Sequence, residues 1–205
     1  MAFAGRLRSA DDFATWLDEL LTGLGLGNDA SVMGVSYGAW ALGQFALRHP
    51  ERIRKAVLLA PPGLVLPVRW RWIAAALASG MSPGVHRRFL EWIFADSVRA
   101  GGEALRMIDE TAEEARLFAE CFVRSTPPIP SVLRDEEWSR YQVPTLYLVG
   151  EHEKLYSPEA ASARLARVAP QVKAELLPGA GHDLTLVRAD LVHRKALAFL
   201  ANETS

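Results

Sequence analysis

The chain has 205 residues, about half of them apolar, which is enough for one globular domain burying roughly 70% of its unfolded surface. Lysine and arginine (23) nearly balance aspartate and glutamate (24), so the net charge of -1 argues against nucleic acid or an anionic membrane as partner and favours a small, roughly neutral molecule. A single cysteine, Cys121, excludes an internal disulfide, and no apolar signal region follows the arginine-containing start "MAFAGRLRSADD"; the chain reads as cytoplasmic.

In chain order, Ser9 and Asp12 form a capping-box pattern, and Phe13, Trp16, Leu17, Leu20 and Leu21 recur at helical spacing, predicting an amphipathic helix over 10–22. The glycines of "TGLGLGND" follow a helix and precede a strand, the reverse of what a dinucleotide-binding loop requires. A buried strand is expected over 30–35, then a helix in "YGAWALGQFALRH" ending at Pro50, then a second buried strand in "KAVLLAPPG". From 64 to 141 the pattern turns helical, with pieces expected near 67–79, 83–95 and 101–124. Strands return at 144–150 and 173–179, separated by a helix that Ser157 caps with Pro158 at its first position, and a last helix is expected over 184–201. Short apolar strands alternating with helices predict an α/β fold with a parallel sheet covered on both faces. The longest membrane candidate, "LVLPVRWRWIAAALAS", is interrupted by Pro67, Arg69 and Arg71 and is too short to span a bilayer.

"GVSYG" stands at the expected strand-to-helix turn. Flanking glycines there permit a sharp turn that projects the hydroxyl of Ser36 above the sheet. A serine needs a base to remove its proton and a carboxylate to orient that base. His182, in "LPGAGHDL", and two acids in "LVGEHEKLY", Glu151 and Glu153, all fall just after strands, at the carboxyl end where sites of open parallel sheets gather. His49, His86 and His193 lie in helical surroundings, and His152 has no second cluster of metal-ligand spacing near it, so neither metal nor cofactor is expected. Cys121, beside Phe118 and Phe122, reads as a small core residue.

The order Ser, acid, His, with "GVSYGAWALGQFALRHPERIRKAVLLAPPG", "VPTLYLVGEHEKLYSPEAA" and "LLPGAGHDLTL", resembles the nucleophile elbow, acid loop and histidine loop of alpha/beta-fold hydrolases, especially carboxylesterase-like members. The resemblance implies a hydrolase-type core from 1–63 and 142–205, with 64–141 as a helical cap. It implies Ser36 as nucleophile, His182 as base, the Tyr37 amide as an oxyanion donor and a small carboxylic ester as substrate. The family's acid sits three residues after the glycine closing its strand, which from Gly150 favours Glu153. Trp70, Trp72 and Trp92 fall in the implied cap, where they either line an apolar substrate pocket or pack the cap itself.

The sequence departs from the family in one respect. Only 35 residues precede Ser36, with no visible loop for a second oxyanion donor, so the chain reads as the C-terminal half of the fold, truncated before the elbow. Weak hydrolysis, and an exposed edge on the "SVMGVS" strand through which a homodimer could form, are the expectations. The alternative is a non-catalytic remnant or interaction module that keeps the residues without a working site.

Overall fold

The computed structural model describes residues 7–121 and 128–201. Helix α1 (Ala10–Gly23) begins at a reciprocal cap: the Ser9 hydroxyl accepts from the Asp12 amide, and the Asp12 carboxylate accepts from the Ser9 amide. Strand β1 (Ala30–Val35), helix α2 (Tyr37–Arg48) and strand β2 (Ile53–Leu59) follow. Among the described residues five helices come before the next strand: α3 (Trp70–Ser79), α4 (Pro83–Ile93), α5 (Ala95–Ala100), α6 (Gly102–Cys121) and α7 (Asp135–Ser139). Strand β3 (Thr145–Gly150), helix α8 (Pro158–Val168), strand β4 (Val172–Leu177) and helices α9 (Leu184–Val187) and α10 (Ala189–Ala201) come next.

Among the described residues four strands form one parallel sheet in the order β1-β2-β3-β4. Its faces sort by strand alternation. Ala56, Leu58, Tyr147 and Val149 pack with α1, α2 and α8 around Trp40, Phe45 and Leu165, whereas Val57, Leu59, Leu146 and Leu148 pack beneath α9 and α10 with Leu184, Val192 and Ala196. This is why "KAVLL" reads as a continuous apolar run: β2 is buried on both sides. Strand β1 ends the sheet, and its residues alternate between half-buried and exposed, with Met33 at 48% and Val35 at 43% exposure.

Several boundaries differ from the sequence expectation for local reasons. Helix α3 starts at Trp70 rather than 67, because Arg69 donates its amide to Leu155 and holds that stretch extended. The single helix expected over 83–95 breaks at Phe94, which caps the end of α4 and opens α5. The last helix is interrupted at Arg188, whose guanidinium bonds to the Pro178 carbonyl. The expected end of α6 at 124 lies outside the described residues, as do the side chains of Cys121, Phe118 and Phe122. Short α7 was not expected; its Trp138 is buried in the main core together with Leu133 and Tyr141. No helix among the described residues is long and apolar enough to cross a membrane.

Candidate active site

Ser36 occupies the bend between β1 and α2. Its amide bonds to the Leu59 carbonyl at 2.8 Å, extending the β1-β2 ladder by one residue, while its own carbonyl accepts from Ala39 and Trp40 and starts the helix. Doing both requires φ 49° and ψ -122°, a conformation that strains a residue with a side chain. Gly34 makes the bend sterically feasible: a Cβ there would lie 2.6 Å from the Gly38 carbonyl oxygen and 2.8 Å from the Ala39 Cα. Gly38 does not share this role. It is exposed in the first turn of α2, and a Cβ there would meet nothing within 4 Å, so only one of the two flanking glycines creates the space expected of both.

His182 and Glu153 meet above this bend. His182 Nε2 lies 2.9 Å from Ser36 Oγ, and His182 Nδ1 lies 2.9 Å from Glu153 Oε2. The Glu153 side chain is fully buried; its Oε1 accepts from the amides of Lys154 (2.8 Å) and Leu155 (2.9 Å), leaving Oε2 for the imidazole. With Oε1 taken by two backbone amides, Oε2 faces Nδ1 of the imidazole, and an Nδ1-H donated to it would leave Nε2 as the ring nitrogen facing the Ser36 hydroxyl. Glu151 points elsewhere: it is exposed, and its carboxylate accepts from the Gly179 amide at 3.2 Å. Of the two acids left open by the sequence, the one that reaches His182 is Glu153.

Backbone packing puts the two loops in register. Glu151 donates its amide to Leu177 and His152 donates to Ala180, lacing the acid loop to the histidine loop. The loops cross so closely at Gly150 that a Cβ there would sit 2.1 Å from the Ala180 carbonyl oxygen. Behind Glu153, the hydroxyls of Tyr147 and Tyr156 lie 2.9 Å apart, and burial pushes both phenols well above their ordinary pKa. The Tyr37 amide opens α2 beside Ser36, while its ring packs against Phe13 and Trp40 and its hydroxyl donates to the Pro128 carbonyl at 2.8 Å. Burial pushes the Tyr37 phenol up to about 12.

The three tryptophans take different positions. Trp70 is 74% exposed. Trp72 packs against Phe89 and the core, and Trp92 lies between Phe89 and the Lys154 ammonium. Phe94 stacks its ring on His182 at 6.4 Å with an interplanar angle of 20°. Sequence reasoning passed over Phe94 and also over Asp96 and Asp183, two buried carboxylates beside the acid and histidine loops. Only Asp183, adjacent to His182 in "GHDL", carried a signal that could have been read. His152 bonds to Asp96; His49 stacks on Phe45, His193 is exposed and His86 is half-buried, all outside the serine site. Among the described residues no group of three or more His, Cys, Asp or Glu is arranged to hold a metal ion.

Comparison with known proteins agrees with this architecture. Residues 3–195 match the Alpha/beta hydrolase family. The chain is 32% identical to the uncharacterized carboxylesterase nap of Bacillus subtilis (strain 168) over 197 residues, covering 94% of this chain and 63% of that protein. It is 31% identical to carboxylesterase YbfK of the same organism over 195 residues, covering 92% of this chain and 63% of that protein. The crystal structure of naproxen esterase from Bacillus subtilis superposes with a TM-score of 0.80 at 27% identity, covering 95% of this chain and 67% of that one. The chain thus spans less than two thirds of the length of these two curated relatives, 63% in each case. The parallel sheet, the strained serine turn and the match over nearly its whole length together make this chain a member of the alpha/beta hydrolase family.

Proposed function

We propose that this chain hydrolyses small carboxylic esters through Ser36, His182 and Glu153, with 64–141 acting as a cap whose covering part is α3–α6. The relay of two 2.9 Å contacts from Ser36 through His182 to Glu153 is the observation that carries the proposal. Ser36 Oγ attacks the ester carbonyl while His182 Nε2 takes its proton. His182 then returns that proton to the leaving alcohol and afterwards activates the water that releases the acid. Glu153 stabilises the imidazolium formed in both steps. The Tyr37 amide donates to the oxyanion. With no second donor identified among the described residues, turnover is expected about 10²- to 10³-fold below that of a two-donor site.

Carboxylesterase relatives, one of them named for naproxen, direct the choice of substrates to short acyl esters and esters of aryl-substituted acids. The test is hydrolysis of p-nitrophenyl acetate by the purified chain beside Ser36→Ala, with stoichiometric labelling by a fluorophosphonate. Turnover and labelling that both vanish in the variant support the proposal; an unreactive wild-type chain refutes it.

Among the described residues no strand pairs with the outer edge of β1, which favours a second reading, an interaction module that retains the residues without turnover. "ASVMGV" carries no charge or proline to deter pairing, and it exposes Met33 and Val35. Its occupant in this reading is a second copy of the chain, paired edge to edge as a homodimer. Sedimentation at increasing concentration tests this reading, and a monomer throughout overturns it.

A further inference from the structure

We infer that Asp183 and Asp96 are positioning residues that latch the corner between α4 and α5 onto the loops carrying His182 and Glu153, so that this corner and the relay move as one unit. The inference rests on the hydrolase reading above for its kinetic consequence, but the latch itself is a matter of packing.

Asp183 directly follows His182 and is only 1% exposed. A carboxylate so far from water is tolerable only where its oxygens find donors. One donor is local, the Gly181 amide at 3.3 Å to Oδ1; the other comes from α5, the Ser97 amide at 2.7 Å to Oδ2. Asp96, the residue before Ser97, is also buried. It pairs with Arg99 at 2.6 Å on its own helix and with His152 Nδ1 at 3.1 Å, next to Glu153. The two carboxylates close on the same backbone point: a Cβ on Gly181 would lie 3.2 Å from Asp96 Oδ2 and 3.4 Å from Asp183 Oδ1.

Two further contacts reach the same corner. The Lys154 ammonium, on the other side of Glu153, donates to the Trp92 carbonyl and lies 5.4 Å from the centre of the Trp92 ring. Phe94 stacks on His182 itself. Desolvation in this position lowers the Lys154 pKa from its ordinary value, against the attraction of Asp96 and Asp183. Both neighbours of Glu153, the residue after His182 and the His182 ring therefore all converge on residues 92–99. Lifting that corner would strip Asp183 of its α5 donor and Asp96 of its imidazole, and would remove the wall against which His182 rests.

The experiment combines hydrogen exchange and kinetics on the full chain for Asp183→Ala, Asp183→Asn and Asp96→Asn. Asp183→Ala is expected to raise exchange in segment 94–100 by about tenfold or more, the usual scale for loss of a charge-assisted hydrogen bond, with β3 unchanged. It is also expected to lower kcat by about 10²-fold, with a smaller change in KM, through misplacement of His182. Asp183→Asn keeps one oxygen for the Ser97 amide and is expected to recover part of both. The double variant Asp96→Asn/Asp183→Asn is expected to lose less than the product of the single losses, because both residues hold one corner. Should Asp183→Ala not fold, the two asparagine variants carry the test in the same direction. Unchanged exchange at 94–100, or a rise spread equally over β3, overturns the latch. If exchange responds as expected while the wild-type chain neither turns over ester nor takes the fluorophosphonate label, the hydrolase reading falls and the latch stands.

Discussion

Replacing Gly150 by alanine would drive a methyl group into the backbone of the histidine loop. The new Cβ would lie 2.1 Å from the Ala180 carbonyl oxygen and 2.5 Å from both the Ala180 carbonyl carbon and the Gly181 carbonyl oxygen. Ordinary van der Waals contact begins at 3.4 Å, so the loop must retreat by about 1.3 Å. No side chain can rotate away, because all three obstacles are backbone. The strands cannot separate cheaply either, since Gly150 pairs with Leu177 in the β3-β4 ladder and the His152 amide bonds to Ala180. The strain therefore falls on the segment between Ala180 and His182, and the 2.9 Å contacts of His182 with Glu153 and Ser36 should lengthen. A displacement of this size costs about 10²-fold in rate. Overpacking adds roughly 1–3 kcal/mol of destabilisation, a fall in Tm of roughly 2–4 °C per kcal/mol for a chain of this size. The assay is kcat on p-nitrophenyl acetate well below the transition, with thermal unfolding followed by circular dichroism. Gly38→Ala is the steric contrast: it meets nothing within 4 Å and sits in a helix, where alanine is favoured by about 0.5–1 kcal/mol, so its Tm should not fall. A Gly150→Ala protein with wild-type Tm and kcat would refute the reasoning.

Ser36→Gly relieves the positive φ and should raise Tm by roughly 2–4 °C while abolishing ester turnover; an unchanged or lower Tm would mean that the bend stores no strain. Glu153→Gln keeps the oxygen that accepts from Lys154 and Leu155 but turns an amide donor toward His182, favouring the wrong tautomer. A loss in kcat of about 10³- to 10⁴-fold is expected, whereas Glu151→Gln should stay close to wild type; the reverse ranking would transfer the role to Glu151. Burial raises the Tyr141 phenol from its ordinary value near 10 to about 12 in the folded chain. The folded state thus holds this proton more tightly than the unfolded state. Its contribution, about 2–3 kcal/mol, is present in full below pH 10 and lost as pH rises through 12. Absorbance at 295 nm with circular dichroism should show tyrosine ionisation coinciding with unfolding in that window and a shallower loss in Tyr141→Phe; ionisation near pH 10 in an intact fold would contradict this.

What the sequence determined by itself is what local physics determines. The Ser9 and Ser157 caps, the continuous apolar run that marks β2 as buried on both faces, and the strand-turn-helix setting of Ser36 each depend on residues within a few positions of one another. The order of Ser36, the acid and His182 along the chain belongs to the same level, because it needs only that each follow a strand. The tertiary structure decided the rest. Glu151 and Glu153 are two positions apart in one loop, and no periodicity tells which faces inward; the crossing at Gly150 and the amides of Lys154 and Leu155 do. Phe94 stands against His182 because α4 breaks there, and helical spacing carried the expected helix straight through that point. Asp183 meets Ser97 across 86 residues and Asp96 meets His152 across 56. Such contacts depend on how two distant segments pack, and patterns confined to a single segment hold no information about that.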